Sequence, residues 1–372
     1  MIYLDYQATT PLAPQAREAM LRWLGGPDSD TFGNPHSPHR MGRMAAAAIE
    51  AARENVAALM PPGGRVVFTS GATEALNTVL LGTGGDVLTF ATEHAAVLDC
   101  ARAVAAQGRR FTVLPVLLDG RADLEALKAA MTPQVGLVAI MAVNNEIGVV
   151  HPLEEAIAIA RAGGAQVLVD AVQAFGRVPL DPSQAPLRPP LAPDYIAVSA
   201  HKIHGPKGIG ALWIGPDAGP LQPLLHGGGQ EASLRSGTLS PALCAGFGVA
   251  CRAVDTEREM FHVKHLWNVA REAFADWELN GSAEHRWPGN LNIRREGLDV
   301  ARLMSDCRQV MFSAGSACAS GSGRPSHVLR AIGLSEAQAK SSIRLGFGRY
   351  TNEDDIVAAA AAINAAARSQ AS

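Results

Sequence analysis

Two short stretches of this chain carry side chains whose grouping suggests chemistry rather than packing. "SAHKIHGPKGIG", Ser199 to Gly210, sets Lys202 between His201 and a glycine-rich turn bearing Lys207, directly after an apolar run. A lysine that forms a Schiff base needs partial desolvation and cationic neighbours to lower its pKa. A basic surface loop would read the same in isolation. "SAGSACASGSG", Ser313 to Gly323, leaves Cys318 among small residues only. That stretch is too polar for a core strand and too rich in Gly and Ser for a stable helix. A packing cysteine would have apolar neighbours, so this one reads as an exposed, mobile thiol, with a role or with none.

Two further groups could serve the same chemistry. In "SGATEALN" the turn Gly71–Ala72–Thr73 follows a strand-like run and opens a helical one. Free backbone N–H groups and the helix dipole favour an anion there, and Thr73 can add a hydroxyl; plain capping by Ser70 or Thr73 is the alternative. In "VDAVQAFG" Asp170 ends a buried run and Gln173 follows three residues on. A carboxylate in that place is costly unless paired. A protonated ring nitrogen, such as that of pyridoxal phosphate (PLP), would pair with it, and a hydrogen bond to nearby backbone is the competing account. An anion site, a strand-end acid and then a lysine within one α/β unit suit PLP jointly. No G-x-G-x-x-G opens the first βα unit, which weakens a dinucleotide reading, and no G-x-x-x-x-G-K-[ST] is present.

These residues need a scaffold, and the chain supplies one pattern repeatedly. "RVVFTS" leads into "GATEALNTVLLG", "DVLTF" into "AAVLDCARAVAAQG", "FTVLPV" into "RADLEALKAAM", and "VGLVAIMAV" into "PLEEAIAIARAGG". "QVLVD", "YIAVSA" and "GIGALWI" follow. Strands alternating with helices predict βαβ units and a mainly parallel sheet covered on both faces. Lys202 and Asp170 then fall at strand carboxyl ends, the usual ligand crevice of such sheets. The Pro-rich "DPSQAPLRPPLAP" reads as a surface loop. From about Pro241 one long helical stretch to about Trp277 is expected. The candidate strand "GNLNIRR", helix "LDVARLMSDC", strand "SSIRLGF" and closing helix "NEDDIVAAAAAINAAARSQ" come next. The expected organisation is α/β: a large domain over 15–255, and a smaller α+β domain from 1–14 and 256–372 that carries the cysteine loop.

At 372 residues with 48% apolar residues the chain can bury a large core and two domains. A net charge of −3 offers no basic footprint for nucleic acid. The most apolar run, Val135 to Val143, is too short to cross a bilayer, and "MIYLDYQATTP" has no signal-peptide pattern, so the cytoplasm is the expected location. Five cysteines form no CxxC, so neither a disulfide framework nor a zinc knuckle is expected. Cys100, Cys244, Cys251 and Cys307 read as buried small hydrophobes. The pairs His36/His39 and His262/His265 have metal-compatible spacing but nothing beside them to complete a ligand set, so surface or core roles are expected. "NPHSPH" could instead border the site entrance.

The motifs "YLDYQATTP", "GNPHSPH", "SGATEALN", "EHAAVLD", "NNEIGVV", "DAVQAFG", "SAHKIHGPKGIGALW", "HGGGQEASLRSGTLS", "SAGSACASG" and "SSIRLGFGRYTNEDDI" run in order over nearly the whole chain. In this the sequence closely resembles the cysteine desulfurases of the nitrogen-fixation and iron–sulfur-cluster type, within the class V aminotransferases and their PLP-dependent transferase fold. The resemblance implies that Lys202 holds PLP, that His94 stacks on its ring and assists proton transfer, and that Asp170 binds the ring nitrogen. It implies Gln173 on the phenolic oxygen, and Ala72, Thr73, Ser199, His201 and Thr238 at the phosphate. Thr238 would come from the other subunit, implying a homodimer. Asn145 would contact cofactor or substrate, and Arg344 would clamp the substrate carboxylate as a bidentate fork. Cys318 would take sulfur from L-cysteine as a persulfide, releasing L-alanine, its small neighbours letting it reach first the site and then an outside acceptor. A sulfur-acceptor or iron–sulfur scaffold protein is the implied partner. No resident metal is expected, with an iron–sulfur contact through Cys318 left open.

The sequence departs from the family at Ala232 and Ser233, usually an arginine and a glycine, at Gln7, usually small, and at His204, commonly tyrosine. The chain ends soon after its closing helix, without the longer tail with which many relatives dock a scaffold. Two rival activities share parts of this reading. A class V aminotransferase acting on alanine or serine with glyoxylate would need no mobile cysteine, and a catalytically silent cluster-assembly adaptor would need neither Lys202 nor Cys318.

Overall fold

The computed structural model describes residues 1–178, 180, 192–315 and 325–371. Cys318 and nearly all of the Pro-rich stretch lie outside the described residues. A two-residue strand β1 (Ile2–Tyr3) begins the chain. The main sheet follows, built from β2 (Arg65–Thr69), β3 (Asp86–Phe90), β4 (Phe111–Leu114), β5 (Val135–Met141), β6 (Gln166–Asp170), β7 (Tyr195–Ser199) and β8 (Gly210–Ile214). Its order is β2-β8-β7-β6-β5-β3-β4. All neighbours pair in parallel except β8, which is antiparallel to both β2 and β7.

Alternate side chains explain why both faces are covered. Phe68, Ile140, Val169 and Val198 enter the core on one face, and Val67, Leu137, Leu168 and Ala197 enter the core on the other. These runs are rich in β-branched residues, which suit strands buried on two sides. Because β2, β3, β5, β6 and β7 run the same way, Ser70, Glu93, Val143, Asp170 and Ser199 all emerge at one edge of the sheet. Gly210 is needed there: a Cβ would stand 2.4 Å from the Val198 carbonyl oxygen and 2.7 Å from Gly71 Cα. Its absence lets the turn after β2 close on the turn after β7.

A second sheet of β9 (Glu278–Leu279), β10 (Asn290–Arg294), β12 (Ser313–Ala314) and β13 (Ser342–Gly346) is antiparallel, and β11 (Val310–Met311) pairs with β1. Leu4 joins Phe274, Leu291, Ile343 and Ile363 in a separate apolar core beneath it. The chain's first residues are thus packed with its last hundred.

Two helical expectations are corrected. The stretch from Pro241 is two helices, Pro241–Arg252 and Thr256–Ala273, because Asp255 caps the second by accepting from the Arg258 N–H. "AAVLDCARAVAAQG" likewise splits into Ala95–Leu98 and Ala101–Ala106, the first capped by His94. Side chains that bond the backbone locally end helices, and periodicity alone does not register that.

His151 is fully buried, accepts from the Ala122 N–H at 3.1 Å, and burial pushes its pKa down to about 4. The unfolded chain takes up a proton near pH 6.5 that the folded form refuses until about pH 4. Stability therefore falls as pH drops through that window, by at most on the order of 3 kcal/mol from this residue. His151→Gln, which can still accept from Ala122, is expected to flatten the fall in melting temperature between those pH values. An unchanged slope would show that His151 is not its source.

Candidate active site

At the carboxyl edge of the parallel strands lies a cavity of about 440 Å³. Its wall includes Ala72, Thr73, His94, Asn145, Asp170, Gln173, Ser199, His201, Lys202 and Arg344. They come from six stretches of the chain: five are brought together by the common direction of the main-sheet strands, and Arg344 joins them from β13 of the second sheet. Thr238 is not among them: it is exposed and stands away from this cavity in the single chain.

Lys202 ends a single 3-10 turn, Ala200–Lys202, that follows β7 at once. Its Nζ donates to the backbone carbonyls of Gln7 at 2.6 Å and Ala8 at 2.8 Å. The N-terminal segment thus aims the amine, a role that sequence reasoning missed because it noted Gln7 only as an unusual side chain. His201, next to it, shares a hydrogen bond with Thr9 Oγ1 at 3.1 Å. Burial, then Lys202, Lys207 and Arg177, push its pKa down to about 4, so it is neutral near pH 7.

Asp170, at the end of β6, is 6% exposed. Its Oδ1 accepts from the Val172 N–H at 3.0 Å. Burial raises its pKa, more than the Val172 bond and the nearby His94 and Lys202 offset. A carboxylate in this state gains strongly from a cation delivered into the cavity. His94 accepts from the Ala96 N–H through Nδ1, so in the neutral ring Nε2 carries the proton. Burial lowers its pKa against the opposing pull of Asp170.

Across the cavity, the helix Ala72–Gly82 opens at Gly71, where an added Cβ would meet only open space. Its first turn holds Glu74, paired with Arg235 at 2.7 Å, so that acid's charge is matched locally. Although burial acts the other way, Arg235 and Ser70 hold the Glu74 carboxyl below its usual range. The arrangement fits PLP on the structure's own terms. An anion-ready helix start, a lysine amine, and a buried acid short of a cation share one cavity, as its phosphate, aldehyde and ring nitrogen require.

Arg344 is 1% exposed on β13 and is engaged by groups of the chain itself. Its Nη2 donates to Asp5 Oδ1 at 2.7 Å and Ser313 Oγ at 3.3 Å, and its Nη1 donates to the Asn145 carbonyl at 3.0 Å. Nε is buried, with no partner among the described residues. The guanidinium is therefore held in place by Asp5, with donor capacity to spare on the cavity wall. Asp5 escaped sequence reasoning, since nothing local links it to a strand at the chain's far end.

The departures at Ala232 and Ser233 fall in a segment with left-handed backbone at Glu231, Ala232 and Ser233 (φ 49, 54 and 66). Glu231 anchors it, accepting from Arg53 at 2.7 Å and the Phe68 N–H at 2.8 Å. His204 packs edge-on to Tyr350 with ring centroids 4.9 Å apart, so an imidazole fills the aromatic place. Among the described residues no group of His, Cys, Asp and Glu could hold a metal. His39 caps the helix Arg40–Ala57, His262 bonds the Thr351 carbonyl, and His265 pairs with Glu353. His36 lines a separate hollow beside Arg53 and Glu231, not this cavity.

Known proteins share this whole architecture. The protein "Cysteine desulfurase IscS" of Rickettsia bellii is 41% identical over 371 residues, covering 95% of this chain and 88% of its own length. A solved NifS-like protein from Rickettsia africae superposes with a TM-score of 0.87 at 28% identity, covering 98% of this chain and 99% of that one. A solved structure of SspA in complex with cysteine gives 0.81 at 33% identity, over 95% of this chain and 100% of the other. The family description "Aminotransferase class-V" matches residues 2–358. With a mainly parallel α/β sheet presenting a lysine, an acid and a helix start to one cavity, the chain belongs to the class-V aminotransferase family.

Proposed function

We propose that this protein is a PLP-dependent cysteine desulfurase, converting L-cysteine and a protein thiol into L-alanine and a persulfide. The observation that carries the reading is the single cavity in which Lys202, His94, Asp170, Gln173 and Arg344 converge. Lys202 would hold the aldehyde, Asp170 the protonated ring nitrogen and Gln173 the phenolic oxygen. Ala72, Thr73, Ser199 and His201 would surround the phosphate, completed by Thr238 of a second copy of the chain in a homodimer. When bound, PLP supplies an electron-accepting ring next to the substrate's α-carbon.

The chain's own groups do the rest. Arg344, steadied by Asp5, would turn its spare donor to the substrate carboxylate, with Asn145 beside it. Lys202 Nζ would take the α-proton, and neutral His94 would move a proton on the opposite side of the site. Cys318, as thiolate, would attack the substrate's sulfur: its S–S bond forms as the substrate's C–S bond breaks. The carbon skeleton picks up a proton and leaves as L-alanine, and the sulfur stays on the enzyme. Cys318 lies outside the described residues, so its part rests on the motif "SAGSACASG". An acceptor protein, such as an iron–sulfur scaffold, would then collect the sulfur. As organisation, we propose a large domain over 15–255 and a small one over 1–14 and 256–372, from which Arg344, held by Asp5, reaches the cavity.

The deciding assay supplies the purified, PLP-loaded protein with L-cysteine and a small thiol, and no keto acid. Alanine and sulfide in equal amounts are expected. Turnover that appears only when glyoxylate is added would make the protein an aminotransferase. A preparation that takes up no PLP would leave only the adaptor.

A further inference from the structure

We propose that Arg177 is a positioning residue for this reaction, its guanidinium fixing which end of the Gln173 amide faces the cavity and pinning the backbone that carries Lys202. The inference deepens the desulfurase reading and rests on it. Arg177 is 6% exposed and lies beyond the cavity wall, in the turns that follow β6. Its Nη1 donates to Gln173 Oε1 at 2.7 Å, and its Nη2 donates to the Lys202 carbonyl at 2.6 Å. Gln173 Nε2 in turn donates to the Gln7 carbonyl at 3.0 Å, the same oxygen that receives Lys202 Nζ at 2.6 Å. Arg177, Gln173, Gln7 and Lys202 thus close a ring of hydrogen bonds around the base of the site.

The direction of that ring follows from chemistry. A guanidinium has donors only, so it can bind only the oxygen end of a carboxamide. The two ends of the Gln173 amide are alike in shape, and the partner behind it decides which one points forward. Arg177 therefore leaves the NH₂ end as the one offered to the cavity, the end able to donate to a phenolic oxygen. No carboxylate forms an ion pair with Arg177 among the described residues. Trp287 instead covers it, with its ring centroid 5.9 Å from the guanidinium carbon. Glu259 acts on it only from beyond ion-pairing distance, and a buried cation without a paired acid is a poor choice for stability alone. Its forked geometry is what spans two acceptors at once, which a lysine ammonium on a single stem does less well.

The test uses the full chain loaded with PLP. Gln173→Ala, Arg177→Gln, Arg177→Lys and the double variant Arg177→Gln/Gln173→Ala are compared by PLP dissociation constant, visible absorbance of the bound cofactor, and melting temperature. Gln173→Ala is expected to shift the visible band and weaken PLP by about tenfold, the usual effect of losing one such hydrogen bond. Arg177→Gln, which can present an oxygen and let the amide turn over, should reproduce that shift. The double variant should fall well short of the sum of the two, because the Arg177 change acts in large part through the same Gln173 amide. Arg177→Lys should fall between wild type and Arg177→Gln, and it carries the comparison if Arg177→Gln does not fold. A folded Arg177 variant with wild-type band and affinity, beside an altered Gln173→Ala, would overturn the inference and leave the desulfurase reading intact. Fully additive effects would overturn it too. A wild-type protein that binds no PLP would remove the reading itself, and this inference with it.

Discussion

Lys202→Ala is expected to lower desulfuration of L-cysteine by at least ~10³-fold, since in the proposed reaction one amine both holds the cofactor and moves the α-proton. The geometry leaves no understudy. Lys207 also lines the cavity, but it is exposed on the turn beyond, whereas Lys202 Nζ is aimed by the carbonyls of Gln7 and Ala8. Cofactor affinity should weaken while the phosphate contacts persist, because the helix start at Ala72 is untouched. Borohydride treatment followed by peptide mass analysis checks the attachment directly. The wild type should carry the reduced cofactor on the peptide containing Lys202, and the variant on none. A label found on Lys207 in the wild type, or substantial turnover by Lys202→Ala, would remove the central residue of the reading.

Cys318→Ala is expected to abolish sulfur release to a comparable degree, while PLP uptake and the visible spectrum of the loaded protein stay as in the wild type. The contrast separates the two halves of the proposed chemistry, in which Lys202 acts on carbon and Cys318 on sulfur. None of the other cysteines can take over. Cys100, Cys244, Cys251 and Cys307 are buried. Burial pushes Cys244 up to about 12 and raises the other three above their ordinary value, so none is a ready thiolate near neutral pH. Cys318→Ser tests the same point with a near-isosteric group of far weaker nucleophilicity. After brief exposure to L-cysteine, mass analysis should find one extra sulfur on the wild-type peptide containing Cys318. Persulfide on another cysteine, or full activity in Cys318→Ala, would reassign the acceptor.

Much of the scaffold was legible because its signals are local. "RVVFTS", "DVLTF", "VGLVAIMAV", "QVLVD" and "YIAVSA" each carry β-branched residues in a short apolar run, and each forms a strand of the main sheet. Parallel pairing then follows from the helices between them. Helix breaks were less legible: Asp255 and His94 stop or start helices by bonding backbone N–H groups, and one capping side chain does not disturb an apolar period.

For the site, the chain alone determined which residue types stand at the strand ends: Asp170 after "QVLV", Lys202 after "YIAVSAH" and Thr73 at the helix start after "RVVFTS". Those placements follow from short-range pattern, because a strand's direction and its next turn put the following side chains at the sheet's edge. Tertiary structure decided how these groups are held. Arg344 meets Asp5 across 339 residues of chain, and Lys202 meets Gln7 across 195. Arg177 donates to the amide oxygen of Gln173 and to the Lys202 carbonyl 25 residues on. Hydrogen bonds of this kind depend on distances and angles between separate elements, and only the packing of two cores against each other fixes those.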